Sequence, residues 1–254
     1  MRGARGGVPW AAVGLAALAA AAALALVLAL VLGGGAAAPL VADPGPLVRY
    51  GLPAAKLVMT LSAAAALGSI LLALLALGPG RLEHHRALDI AAGAAGLWAL
   101  AAAAAGFLTF LSVFLEPVAL DGRFGRLLAT FFGETEIGQA WLWTTLMTAA
   151  VTVLCFAVRS QAALAVVGLL AVAALWPVAQ QGHTGGTADH DAAVTAVYLH
   201  AVFAALWVGG LVALVLLRRQ LGDRLPIVLA RYSTIALIAF VVVAASGLVS
   251  AQLR

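Results

Sequence analysis

The sequence predicts an all-α fold, a polytopic bundle of about seven transmembrane helices with a cytoplasmic N-terminus. Three observations predict it. Of the 254 residues, 65% are hydrophobic and only 9% are charged, with a mean hydropathy of +1.11. No soluble domain of this length needs so much apolar sequence, so the solvent is lipid. Seven apolar stretches reach the roughly 20 residues that a helix needs to cross a hydrocarbon core about 30 Å thick. No stretch alternates polar and apolar residues as a barrel strand does, and a helix satisfies its own backbone in lipid.

The spans are predicted at about 10–32, 52–78, 88–115, 138–158, 161–180, 192–217 and 229–252, within a single integral membrane domain covering 1–254. Arg2, Arg5 and the apolar run before Ala36-Ala37-Ala38 resemble a cleavable signal peptide. The run is longer than the usual 7–15 residues or so, which favours an uncleaved first span. Gly33-Gly34-Gly35 with Pro39, Pro44 and Pro46 predicts a non-helical loop over 33–51. Gly78-Pro79-Gly80 breaks the chain into a loop at Arg81–Arg86, where His84 and His85 read as solvated. Glu116-Pro117 ends the third span, because proline lacks a donor and disfavours helix before it. Leu127, Leu128, Phe131 and Phe132 then share a helical face beside Arg123 and Arg126, the pattern of an interfacial amphipathic helix. Glycines such as Gly93, Gly96 and Gly106 let spans approach closely where lipid supplies no hydrophobic drive.

Lys and Arg give the orientation. With the N-terminus inside, nine of them fall in cytoplasmic segments (Arg2, Arg5, Arg81, Arg86, Arg159, Arg218, Arg219, Arg224, Arg231) and five outside (Arg49, Lys56, Arg123, Arg126, Arg254). The net charge of +4 is thus scattered at helix ends, which suits membrane orientation and not nucleic-acid binding. Cys155 is the single cysteine, so an internal disulfide and a CxxC metal motif are both excluded.

Three of the five histidines lie between Gly182 and Gly210. His183 and His190 belong to a polar loop that the charge count places outside. His200 sits about eight residues into the following span, roughly 12 Å below its outer end. An ionisable ring at that depth is costly, and such residues mark functional sites by default. Phe203 and Trp207 lie on nearly the same face, alanines make room beside the ring, and Gly209-Gly210 lets a helix or ligand come close below. Phe203, Trp207, Gly209 and Gly210 are therefore expected to line a pocket. Imidazoles suit copper, zinc and iron, whereas thioethers select Cu(I). Met59 and Met147 lie at a depth similar to that of His200, and Glu116 sits near an outer helix end, which makes these three secondary candidates. The plainer alternative is a histidine hydrogen-bonded to a neighbouring helix above a solvated loop. No HExxH, G-x-S-x-G, P-loop or CxxCH motif is present, so no enzyme chemistry is implied.

The run Gly182-His183, His190, His200 and Trp207-Val208-Gly209-Gly210 resembles the copper resistance D family, multi-spanning bacterial inner-membrane proteins implicated in copper uptake or resistance. The resemblance implies copper handling and a periplasmic copper-binding partner, and by position points to His183, His190 and His200 as metal ligands. Some actinobacterial relatives continue into a membrane domain similar to cytochrome c oxidase assembly factors. The resemblance is to the membrane domain in front of it, as a minimal protein or the first part of a longer one. The expected function is copper binding from the extracytoplasmic side and movement of the ion into or across the membrane. Two other readings of the same residues stay open. One is a haem-binding or redox-associated membrane subunit using His200 as a ligand. The other is a ligand-free scaffold.

Overall fold

The computed structural model describes residues 10–39, 41–119, 121–158, 160–180 and 190–252, without the side chains of residues 10–12, 15 and 190. Every helix or strand element among them is a helix. The chain divides into two compact units, Met1–Ala37 and Ala38–Arg254. The first holds α1 (Trp10–Val31), a 22-residue helix built almost wholly of Ala, Leu and Val.

The second unit is a helical membrane bundle. Its helices are α2 (Pro46–Leu75), α3 (Leu82–Phe114), α4 (Gly122–Glu134), α5 (Glu136–Ala157), α6 (Gln161–Ala173), α7 (Trp176–Ala179), α8 (His190–Leu221) and α9 (Leu225–Gln252). Among the described residues five stretches are long and apolar enough to cross a membrane: 46–75, 82–114, 136–157, 161–179 and 191–252. The last, 62 residues long, folds as two helices that reverse at a 3-10 turn over Gly222–Arg224. With α1, these are the seven apolar segments of the sequence.

Two boundaries differ from expectation for local reasons. The loop predicted over 33–51 ends early, because Pro46 occupies the first turn of α2, where its missing N–H costs nothing. Gly45 supplies the positive φ of 86° before it, and its N–H is held by Asp43 Oδ1 at 2.9 Å. The loop predicted at Arg81–Arg86 is mostly helix. Gly80 takes the left-handed turn (φ 76°), α3 begins at Leu82, and Glu83 lies in its first turn, where the helix dipole favours an anion.

Packing places α2 at the centre, against α3, α6 and α8. The sequential hairpins are antiparallel. Gly106 lies under the Trp141 side chain and Gly96 beside Thr152, which sets α3 against α5; His200 meets Val243 and Trp207 meets Tyr232, which sets α8 against α9. The amphipathic α4 is capped by Asp121, which accepts from Phe124 N–H at 2.7 Å. Its apolar face is used inside the protein: Phe124 and Phe131 pack edge-on and tilted against Phe107, Phe110 and Phe114 of α3. That aromatic cluster, with the fully buried Trp98 and Trp141, is the bulkiest part of a core otherwise made of alanine, leucine and valine.

At the end of the bundle where α3, α6 and α9 begin, polar side chains tie the helices together. Arg224 donates to Glu83, Arg231 donates to the Ala76 carbonyl at 3.1 Å, and Gln161 reaches both the Ala73 carbonyl and His84. His84 and Glu83 are each only 7% exposed, so His84 is a packed residue and not the solvated loop histidine that the sequence suggested.

Candidate metal site

His200 projects from α8 toward α9. Its Nδ1 lies 3.2 Å from the Val243 carbonyl oxygen and 3.4 Å from Ser246 Oγ. A carbonyl only accepts, so Nδ1 carries the proton. Ser246 Oγ donates to Val242 O at 2.7 Å, which leaves its lone pairs to accept from the same Nδ1–H. Gly247 allows the fit, since a Cβ there would touch the ring at 3.6 Å. The ring is thus held by its Nδ1 edge, and Nε2 keeps a free lone pair. Metal-binding histidines are commonly held in this way, with a backbone carbonyl fixing the tautomer and the ring's orientation.

His200 borders two openings. One, of about 400 Å³, lies between α2, α3, the α6–α7 segment and α8 and is otherwise almost wholly apolar. Met59, 7% exposed, and the buried Trp98 line it opposite the α8 residues Val197, Ala201 and Ala204. The other, of about 550 Å³, lies toward Gly247 and Ser250 of α9. Tyr198, two residues before His200, donates to the Val172 carbonyl at 3.1 Å and packs edge-on against Trp176. It pins α8 against the α6–α7 segment and so keeps the first cavity walled on that side.

The Trp-Val-Gly-Gly run closes the inner end of this cavity. A Cβ on Gly209 would lie 1.7 Å from the Ala64 carbonyl oxygen, and one on Gly68 would lie 1.9 Å from the Gly209 carbonyl carbon. Backbone therefore touches backbone where α2 crosses α8. Gly210 receives the ring of Tyr232, whose hydroxyl donates to the Trp207 carbonyl, and Trp207 itself packs edge-on against Phe240 of α9. The cavity wall is formed by Ala201, Ala204, Ala205 and Val208, with Phe203 and Trp207 outside that lining.

The remaining described candidates are dispersed. His183 lies outside the described residues. His190 is the first residue of α8, ten residues and so roughly 15 Å along the axis from His200, and its side chain is outside the described set. Met147 packs against the core from α5. Glu116 pairs with Arg123 and borders a separate pocket with Asp121 and Phe124. Among the described residues no three His, Cys, Asp or Glu side chains come together as a metal site. Of the residues singled out from the sequence, the structure brings Met59 and His200 to one cavity.

Residues 42–192 match the family model of the copper resistance protein D-like N-terminal domain. The chain belongs to this family. The match spans Met59, His84, His183 and His190 and ends before His200 and the Gly209-Gly210 crossing. No curated protein and no solved structure matches the chain. As a member of the copper resistance D-like family with a bundle of long apolar helices, it is a copper-related membrane protein.

Sequence reasoning missed His84. The signal was present: His84, Ala87, Leu88, Ala91 and Ala95 are all buried and follow helical spacing. Reading the apolar stripe of α3 backward by one turn reaches the imidazole.

Proposed function

We propose that the protein takes a copper ion at His200 and moves it into or across the bacterial inner membrane. The carrying observation is the held tautomer: Nδ1–H is fixed by α9, which leaves the Nε2 lone pair free, and His200 lines a cavity shared with Met59. An imidazole and a thioether in an apolar cavity favour Cu(I) over harder ions. The lysine and arginine count puts the start of α8 outside, so the ion enters from the extracytoplasmic side, from solution or from a periplasmic copper-binding protein. His183 and His190 precede His200 in the chain and supply further ligands on the way in.

Copper loading tests this. Purified protein in detergent is titrated with Cu(I) against a competing chelator. His200→Ala is expected to lose the ion, and Met59→Leu to weaken it ten- to hundredfold while leaving the fold intact. Unchanged stoichiometry and affinity in His200→Ala sinks the proposal. A Soret band in the protein as purified would transfer His200 to the haem reading instead.

A further inference from the structure

We infer that His84 and His85 form a second Cu(I) site, at the end of the bundle opposite the start of α8. The inference rests on the copper reading above but on none of its residues. Consecutive histidines open α3, with ring centroids 5.8 Å apart. A two-coordinate ion with metal–nitrogen bonds of about 2 Å separates two imidazole centroids by roughly 6 Å. The rings now stand edge to face, and His85, exposed to solvent, brings its edge toward the ion by turning about its bond to the Arg81 carbonyl.

Each ring has an unused nitrogen. His85 Nδ1 donates to the Arg81 carbonyl at 2.8 Å, which leaves its Nε2 with a lone pair. His84 is 93% buried, being 7% exposed, and its Nδ1 has no hydrogen-bond partner. Its Nε2 faces Gln161 Nε2 at 3.3 Å. The Gln161 Oε1 is also buried without a partner. Two unmet polar atoms on a touching pair call for an explanation. Turning the Gln161 amide over supplies one, in exchange for the 3.5 Å bond that its Nε2 now donates to the Ala73 carbonyl. Oε1 then accepts from His84 Nε2–H, and the Nδ1 lone pair becomes a ligand oriented by a carboxamide. The imidazole stays neutral throughout: its proton moves from Nδ1 to Nε2, none is released and no electron moves.

The surroundings choose the ion. Arg81 and Arg86 flank the pair in sequence, Arg86 pairing with the exposed Asp89 at 3.6 Å, and the Glu83 charge is already taken by Arg224. A doubly charged ion is repelled twice as strongly as Cu(I) by the same arginines. Zn²⁺ also asks for four ligands, and Mg²⁺ and Ca²⁺ for oxygens; neither set is here. Two neutral imidazoles are enough for Cu(I).

The test uses the full chain in detergent, Cu(I) with a competing chelator, and elemental analysis. Wild type is expected to hold two ions, His200→Ala one, His85→Ala one, and the double variant none. His85 is exposed, so its removal leaves the fold alone, whereas His84→Gln also alters a buried contact. Gln161→Leu is expected to weaken the inner ion ten- to hundredfold without changing the His200 site. If loss of copper follows His200 alone and His85→Ala matches wild type, the inner site falls and the proposed function stands. If loss follows His85 and not His200, the inner site stands and the His200 reading falls. No bound copper in wild type overturns both.

Discussion

Gly209→Ala is the sharpest perturbation this fold offers. The added carbon would sit 1.7 Å from the Ala64 carbonyl oxygen and 2.5 Å from its carbon. An ordinary carbon–oxygen contact is near 3.5 Å, so α2 and α8 must part by roughly 1.5 Å or more. The atoms met are backbone, so no rotamer change relieves the clash. Overpacking a core by one methyl costs typically about 1–3 kcal/mol, and the absence of side-chain relief places this case at the upper end. Separation also thins the remaining contacts along the crossing, since a gap of about 1 Å forfeits a quarter to a half of each dispersion well. The gain in helix propensity from Gly to Ala returns at most about 1 kcal/mol. The net is about 3 kcal/mol, which in a domain of this size lowers the melting temperature by roughly 6–12 °C. Cys155, the single thiol, is 2% exposed and reports unfolding without any added probe site. A fluorogenic maleimide reads its release during heating in detergent or nanodiscs. Gly93→Ala is the control, because a Cβ there meets nothing within 4 Å. It is expected to melt at or slightly above wild type. Gly68→Ala with Gly209→Ala should cost less than the sum of the singles, since both part the same two helices. A Gly209→Ala protein that melts with wild type refutes the backbone contact and with it the closed inner end of the His200 cavity.

Two further predictions use the same assay. Glu83→Gln leaves the half-buried Arg224 guanidinium without its carboxylate and is expected to cost about 2 kcal/mol; the exchange Glu83→Arg with Arg224→Glu recovers part of it, and no recovery would show that the charge pair is not what holds α3 to the turn before α9. Phe131→Ala empties the centre of the α3–α4 aromatic cluster, at 1% exposure, for about 3–5 kcal/mol, and a loss below 1 kcal/mol would mean that α4 lies on lipid and not on α3.

The helices were legible because lipid leaves the backbone one solution, and each apolar run is about as long as a membrane-crossing helix needs. Their ends were legible less often. Pro46 was read as a loop residue when it is the first turn of α2, and Arg81–Arg86 was read as loop because its charges hid a helical stripe that begins at Leu82. At the site, the depth of His200 and its glycine-rich sequel could be seen, but not which helix meets them. Arg224 and Glu83 are 141 residues apart, and the partners of Gly209 and His200 are likewise on other helices. Periodicity gives the face of a helix, and only packing gives what that face touches. Phe203 and Trp207 show the difference: they share a face with His200 on the helical wheel, yet Trp207 is committed to Phe240 and the cavity is lined from the neighbouring rows.

α2 connects the separate features. Along its length it carries Met59 at the His200 cavity, Ala64 and Gly68 at the α8 crossing, and the Ala73 carbonyl that receives Gln161, with the Ala76 carbonyl that receives Arg231 just past its last residue. A helix is stiff over this distance, so a displacement at one of these points is felt at the others. Gly68 lies between the cavity and the polar ties, where its neighbour is backbone and cannot yield. Gly68→Ala is therefore expected to act on both ends at once, weakening Cu(I) at His200 and loosening the His84–Gln161 contact, although it touches neither residue. Met59→Leu should act on the first alone. If Gly68→Ala lowers stability but leaves copper affinity at wild-type strength, then the cavity does not depend on the crossing that bounds it, and α2 is only a strut.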